Sequence, residues 1–133
     1  MIRSVLAFIA GFIAFAVTSG VFYGVIVYDA QMEIMEANPL SFHAEPKFEM
    51  IILANLLWVG MMHYVIHNSG KKGVGAGAFQ GGLTMLLVNG GFNFLILGGF
   101  SFIPLHLALV DIAANVVFGV ATGAAIALVA KRS

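Results

Sequence analysis

The chain contains no cysteine, and only 9% of its 133 residues are charged. Without cysteine there are no disulfides, no thiol nucleophile and no thiolate metal site, and the redox compartment is unreadable. The shortage of charge excludes a soluble domain. Soluble domains are about 25% charged, and six Lys/Arg with six Asp/Glu cannot cover a water-facing surface. The formal net charge is zero, which leaves no basic footprint for nucleic acid. Strict apolar–polar alternation over about ten residues is also absent, which argues against a membrane barrel.

What is present is 61% hydrophobic residues and a mean hydropathy of +1.02. They fall into four apolar runs, at residues 5–28, 48–66, 74–97 and 107–130. A helix needs about 20 apolar residues to cross the hydrocarbon core. In lipid, each backbone polar group must be paired within its own segment, so the runs are read as helices. The expected fold is an all-α integral membrane protein, one domain over 1–133, with four antiparallel transmembrane helices. The first run is too long for the apolar part of a signal peptide and reads as an uncleaved span.

The few charges also set an expected orientation. Arg3, Lys71, Lys72, Lys131 and Arg132 fall on one side of the bundle, against Lys47 alone on the other. The positive-inside rule then places both termini in the cytoplasm, with the 29–47 loop outside. A bacterial inner membrane is the expected location. Within that loop Asp29, Glu33 and Glu36 recur at steps of four and three, so the first helix is expected to run on to about Ala37 before Asn38-Pro39 breaks it. Its acidic face is either simply wet or a mouth that gathers cations.

Polar residues inside the spans need partners. The third span carries Gln80, Thr84, Asn89 and Asn93, and the fourth carries Asp111, Asn115 and Thr122. The short turn between these spans makes them antiparallel neighbours. It centres on residue 102, so residues at equal depth have numbers summing to about 204. This pairs Asn93 with Asp111, Asn89 with Asn115, Leu86 with Phe118 and Gly82 with Thr122. The shared spacing of four, three, four predicts the seam of a left-handed antiparallel pair. Asp111 lies about 7 Å inside the fourth span. It is either a proton or cation relay, or a clamp that holds Asn93 or caps the start of its helix. With Asn89, Asn115 and Gln80 it would line any pathway.

Gly73, Gly77 and Gly81 recur every four residues, with Gly82 beside them, and predict close helix contact within the bundle or between copies. In the second span His63 and His67 share a face and are weak candidates for a metal or haem. No third ligand is in sequence reach, so neither metal nor cofactor is expected, and bound lipid is. His43 with Met32, Met35 and Met50 is a still weaker candidate for a soft copper site. Trp58 falls mid-span and reads as a packing residue. No histidine is expected at the depth of Ser4, Ser19 or Ser101, which argues against an intramembrane hydrolase.

Three stretches carry a resemblance: Gly77-Ala78-Phe79-Gln80-Gly81-Gly82, Val88-Asn89-Gly90-Gly91-Phe92-Asn93, and Pro104-Leu105-His106-Leu107-Ala108-Leu109-Val110-Asp111. Together they resemble small bacterial four-helix integral membrane proteins catalogued as a domain of unknown function. The resemblance covers about 60 residues and implies a fold without an activity. Members often carry an acid near position 89 and tryptophans in the first span, and this chain has neither. The functions in view are therefore a non-catalytic accessory or structural subunit and, as alternative, a small oligomeric transporter or channel with Asp111 in its pathway. Expected partners are the lipid bilayer and other membrane subunits or copies of the chain itself.

Overall fold

The computed structural model describes residues 1–130. Lys131 and Arg132, two of the basic residues behind the expected orientation, lie outside the described residues. The order is α1 (Ile2–Val21), a π-helical turn (Phe22–Ile26), α2 (Tyr28–Ala37), α3 (Phe48–Asn68), α4 (Val74–Gly99) and α5 (Leu105–Ala130). Four segments are long and apolar enough to cross a membrane: Ile2–Ile26, Phe48–Asn68, Val74–Gly99 and Leu105–Ala130. The described residues contain no strand. The bundle turns apolar side chains outward along its length, among them Ile13, Val17, Leu57, Phe79, Leu95 and Val117. In water such a surface would aggregate, whereas lipid solvates it. The protein is a four-helix integral membrane protein.

Helix α5 is the centre of the bundle. It packs most extensively on α4 and next on α1, while α3 leans mainly on α1. The buried positions of α1 are Ala7, Gly11, Phe15 and Ser19, a stripe with a step of four. Gly11 lets Ile126 of α5 sit against the α1 backbone, because a Cβ at Gly11 would come within 2.6 Å of Ile126 Cγ1. Phe15 then packs edge-on against Phe118 with ring centroids 5.9 Å apart, and tilted against Trp58 of α3. Trp58 is thus a packing residue at the α1–α3 contact.

The α4–α5 seam is built from backbone rather than side chains. A Cβ on Gly81 would overlap the Gly119 carbonyl oxygen, and one on Gly119 would overlap that of Gly81. Gly77 and Gly123 stand in the same reciprocal relation, with the Ala127 methyl against Gly77. The buried positions of α4 are Gly77, Gly81, Gly82, Met85, Asn89, Gly90 and Asn93. They mix steps of four and three, as do Ala108, Ile112, Asn115, Gly119, Thr122 and Ile126 on α5. The expected four-three spacing of the seam is therefore present. Without Cβ atoms the two backbones touch at the glycines, and this contact sets which residues meet. Two expected pairs are overturned. Leu86 is exposed while Phe118 faces α1, and a Cβ on Gly82 would come within 2.8 Å of Val120 Cγ2, with Val116 rather than Thr122 next nearest. Gly73 is likewise not a packing glycine. It precedes α4 with φ +101° and open space around it, a turn conformation that glycine alone adopts freely.

Thr122 is fully buried and its hydroxyl has no partner. An unpaired buried hydroxyl costs about 1–3 kcal/mol, and valine has nearly the same shape. Thr122→Val is therefore expected to raise the unfolding midpoint in detergent, by about 1 kcal/mol of stability. A fall in the midpoint would mean that the hydroxyl is bonded after all.

Candidate functional site

The expected extension of the first helix to Ala37 is present, with a break that matters to the site. At Phe22–Ile26 the helix widens to a π turn, in which the Val27 N–H donates to the Phe22 carbonyl at 3.0 Å. Such single π turns often accompany functional positions, because the added residue re-aims the chain beyond it. Here Tyr23 sits on the widened turn, one step of four beyond Ser19 on the buried stripe of α1. The chain then bends at Val27 into α2.

Tyr23 is the residue that the sequence reading missed. Its hydroxyl donates to Asp111 Oδ1 and accepts from Asn115 Nδ2 at 3.1 Å. The second carboxylate oxygen, Asp111 Oδ2, accepts from Asn93 Nδ2 at 2.9 Å. Asn93 Nδ2 also reaches Asn89 Oδ1 at 2.7 Å, and Asn115 Nδ2 donates back to the Asp111 carbonyl at 2.9 Å. One network therefore joins the π turn at the end of α1 with α4 and α5 around a single acid. Ring contacts hold the tyrosine in place, with Phe118 at 5.9 Å and Phe22 at 5.0 Å.

The Asn93–Asp111 pair is as expected from equal depth. The other proposed members of the ladder differ. Asn89 bonds to Asn93 on its own helix and not to Asn115, which turns instead to Tyr23. The cause is that Tyr23 brings a hydroxyl to Asn115 from α1, while Asn93 lies one turn from Asn89. Gln80 does not join the network. It lies nine residues from Asn89, about 13 Å along the axis, and only its backbone carbonyl is engaged, by Thr84. Nor does Asp111 cap its helix. α5 starts at Leu105, and the Asp111 side chain points to α1 and α4.

Above this network, at the α2 end of the bundle, lies a cavity of about 400 Å³. Tyr23, Asp111, Asn89 and Asn93 form its polar part, and Phe22, Trp58, Phe92, Ile96, Ile34 and Met35 are among its apolar walls. One face of α2, with Ala30, Gln31 and Ile34, lines its outer side. Asp29, Glu33 and Glu36 lie on another face of α2 and are exposed, as a wet acidic face should be. The loops at this end are pinned by rings, with Phe42 against Phe102 at 5.8 Å and Phe102 against Phe100 at 5.7 Å.

The two weak ligand candidates sit at the opposite end. His63 and His67 stack nearly parallel, 6.1 Å apart. Among the described residues no group of three His, Asp or Glu side chains stands together to hold a metal. A smaller cavity of about 260 Å³ lies beside them, bordered also by Lys71, Lys72 and Ala130. Here one expectation is corrected. Ser4 Oγ and His63 Nε2 are hydrogen-bonded at 3.1 Å, so a histidine does reach a serine. The α1–α3 packing that brings them together joins segments about sixty residues apart, which no local spacing could reveal. Among the described residues no acid is hydrogen-bonded to the His63 ring, so the orienting third member of a hydrolytic triad is missing from the geometry.

No protein-family profile matches the chain, and comparison with curated proteins and with solved structures finds no match.

Proposed function

We propose that the protein is a non-catalytic membrane subunit, which docks on a larger membrane complex or on copies of itself. The observation that carries this reading is how Asp111 is used. Both carboxylate oxygens accept hydrogen bonds from within the bundle, one from Tyr23 of α1 and one from Asn93 of α4. A half-buried acid engaged in this way acts as a clamp between helices. The direct contact of the α4 and α5 backbones below it supports the same reading, because it closes the space between those helices at Gly77 and Gly81. The proposed setting is a bacterial inner membrane with the N-terminus in the cytoplasm and α2 outside, supported by Arg3, Lys71 and Lys72 at one end of the bundle and the acids of α2 at the other.

A second reading, transport through an oligomer, is favoured by the position of Asp111 on the wall of a cavity. Gentle extraction from the native membrane followed by native mass measurement tests the subunit reading. The expected result is a fixed stoichiometric complex. A monomer without partners overturns it. A homo-oligomer whose solute flux in proteoliposomes vanishes with Asp111→Asn overturns it in favour of transport.

A further inference from the structure

We infer that the cavity at the α2 end binds an amphiphilic organic cation, an amine with an apolar body, and that Asp111 receives its ammonium group. This does not rest on the subunit reading, since a complex subunit or a transporter could equally carry such a site.

The polar groups that line the cavity have hydrogen-bonding capacity left over. Asn89 and Asn93 are each 8% exposed, and both line the cavity. Buried amides normally spend both their donor and acceptor ends. Here Asn93 spends its NH₂ group on Asp111 and Asn89, while its Oδ1 has no partner among the described residues. Asn89 accepts through Oδ1, and its Nδ2 has no partner. A carboxylate offers about four lone-pair sites. Two on Asp111 are taken, by Tyr23 and Asn93, so about two remain. The Tyr23 hydroxyl donates inward and cannot serve a ligand as donor without leaving Asp111.

The closed end of the cavity thus has a surplus of acceptors. They are about two remaining Asp111 lone pairs and the two of Asn93 Oδ1, against the two N–H donors of the Asn89 amide. Gln31 at the α2 side adds a donor and an acceptor equally and leaves the balance unchanged. A ligand that satisfies this set must bring several donors on one small group. An ammonium brings three and no acceptor, and its charge matches the carboxylate. A carbonyl or carboxylate ligand would leave Asn93 Oδ1 unsatisfied and face the acid directly. The walls select the rest of the molecule. Phe22, Trp58 and Phe92 are aromatic, and aromatic faces attract cations and their apolar substituents alike. Outside, Asp29, Glu33 and Glu36 are exposed and raise the local concentration of cations.

The site contains its own reporter, because Trp58 is the single tryptophan of the chain and lines the cavity. The purified full-length protein in neutral detergent is titrated with decylamine, decanol and decanoate while Trp58 emission is followed. Decylamine is expected to give a saturable change with a midpoint roughly tenfold or more below that of decanol, and decanoate to give none. In Asp111→Asn the preference for amine over alcohol is expected to disappear. Ala30→Leu, on α2 and outside the polar network, keeps Asp111 and narrows the cavity, and is expected to weaken all binding. It serves where the Asp111 variant does not fold. The inference is overturned by a wild-type protein that responds equally to amine and alcohol, that prefers decanoate, or that shows no saturable response. Persistence of the amine preference in Asp111→Asn, or undiminished decylamine binding in Ala30→Leu, overturns it too.

Discussion

Replacing Gly81 by leucine is expected to separate α4 from α5 and cost more stability than any other single change in the bundle. The new Cβ would overlap the Gly119 carbonyl oxygen and crowd the Gly123 Cα, and these atoms are backbone. A flexible side chain can swing away from an inserted methylene, but a helix carbonyl can move only if the helix moves. Overpacking in a core typically costs about 1–3 kcal/mol, occasionally more, and here the upper end or beyond is expected. Gly91→Leu is the control. Nothing lies within 4 Å of a Cβ at Gly91, and the residue is exposed. A mid-helix glycine weakens its helix by about 0.5–1 kcal/mol relative to alanine, so Gly91→Leu is expected to be neutral or stabilising. The measurement is reversible unfolding in mixed detergent, with the two variants compared side by side. Equal stabilities would show that the α4–α5 contact is looser than the backbone overlap implies.

The second large effect is at the acid. Asp111→Ala is expected to remove about 1–3 kcal/mol, because it takes the acceptor from the half-buried Tyr23 hydroxyl and from one bond of the buried Asn93 amide. Asp111→Asn can still accept from one of the two and should cost less. The sharper measurement is a double-mutant cycle with Tyr23→Phe. Residues sharing a hydrogen bond show coupling of about 0.5–3 kcal/mol, whereas independent sites add within about 0.3–0.5 kcal/mol. Coupling in the upper range is expected, because the Tyr23–Asp111 bond, with that from Asn115 to the same hydroxyl, ties the end of the first span to α5. Additive losses would mean that α1 is held by its apolar stripe alone and that Asp111 does not clamp it.

Asp111 and its partners also show how far a single sequence reaches. Asn93 was legible as a partner because a short turn joins its helix to that of Asp111, and equal depth then follows from counting residues. Tyr23 was not legible. It lies 88 residues from Asp111, and no turn fixes the register of α1 against α5. The available signal was its depth, since it stands near the end of the first span at the level where the fourth begins. The missing half of the glycine seam was closer to hand. Gly119 and Gly123 repeat the step of four of Gly77 and Gly81, and the two motifs face each other. The sequence reading took the polar residues as the register marks, which displaced the predicted partners of Gly82 and Leu86.

Hydropathy alone determined that this chain lives in a membrane, with four helices and one wet acidic segment, because transfer of apolar surface and the pairing of backbone polar groups act on each segment separately. The tertiary structure decided which of those helices touch and at what register. It turned four scattered polar residues and a tyrosine into one network, set a cavity above it, and brought Ser4 to His63. Those outcomes depend on where glycine lets two backbones meet and on how the packing of α1 on α5 sets Tyr23 against Asp111. Such contacts form between segments that the chain itself does not hold in register, so no count along the sequence could supply them.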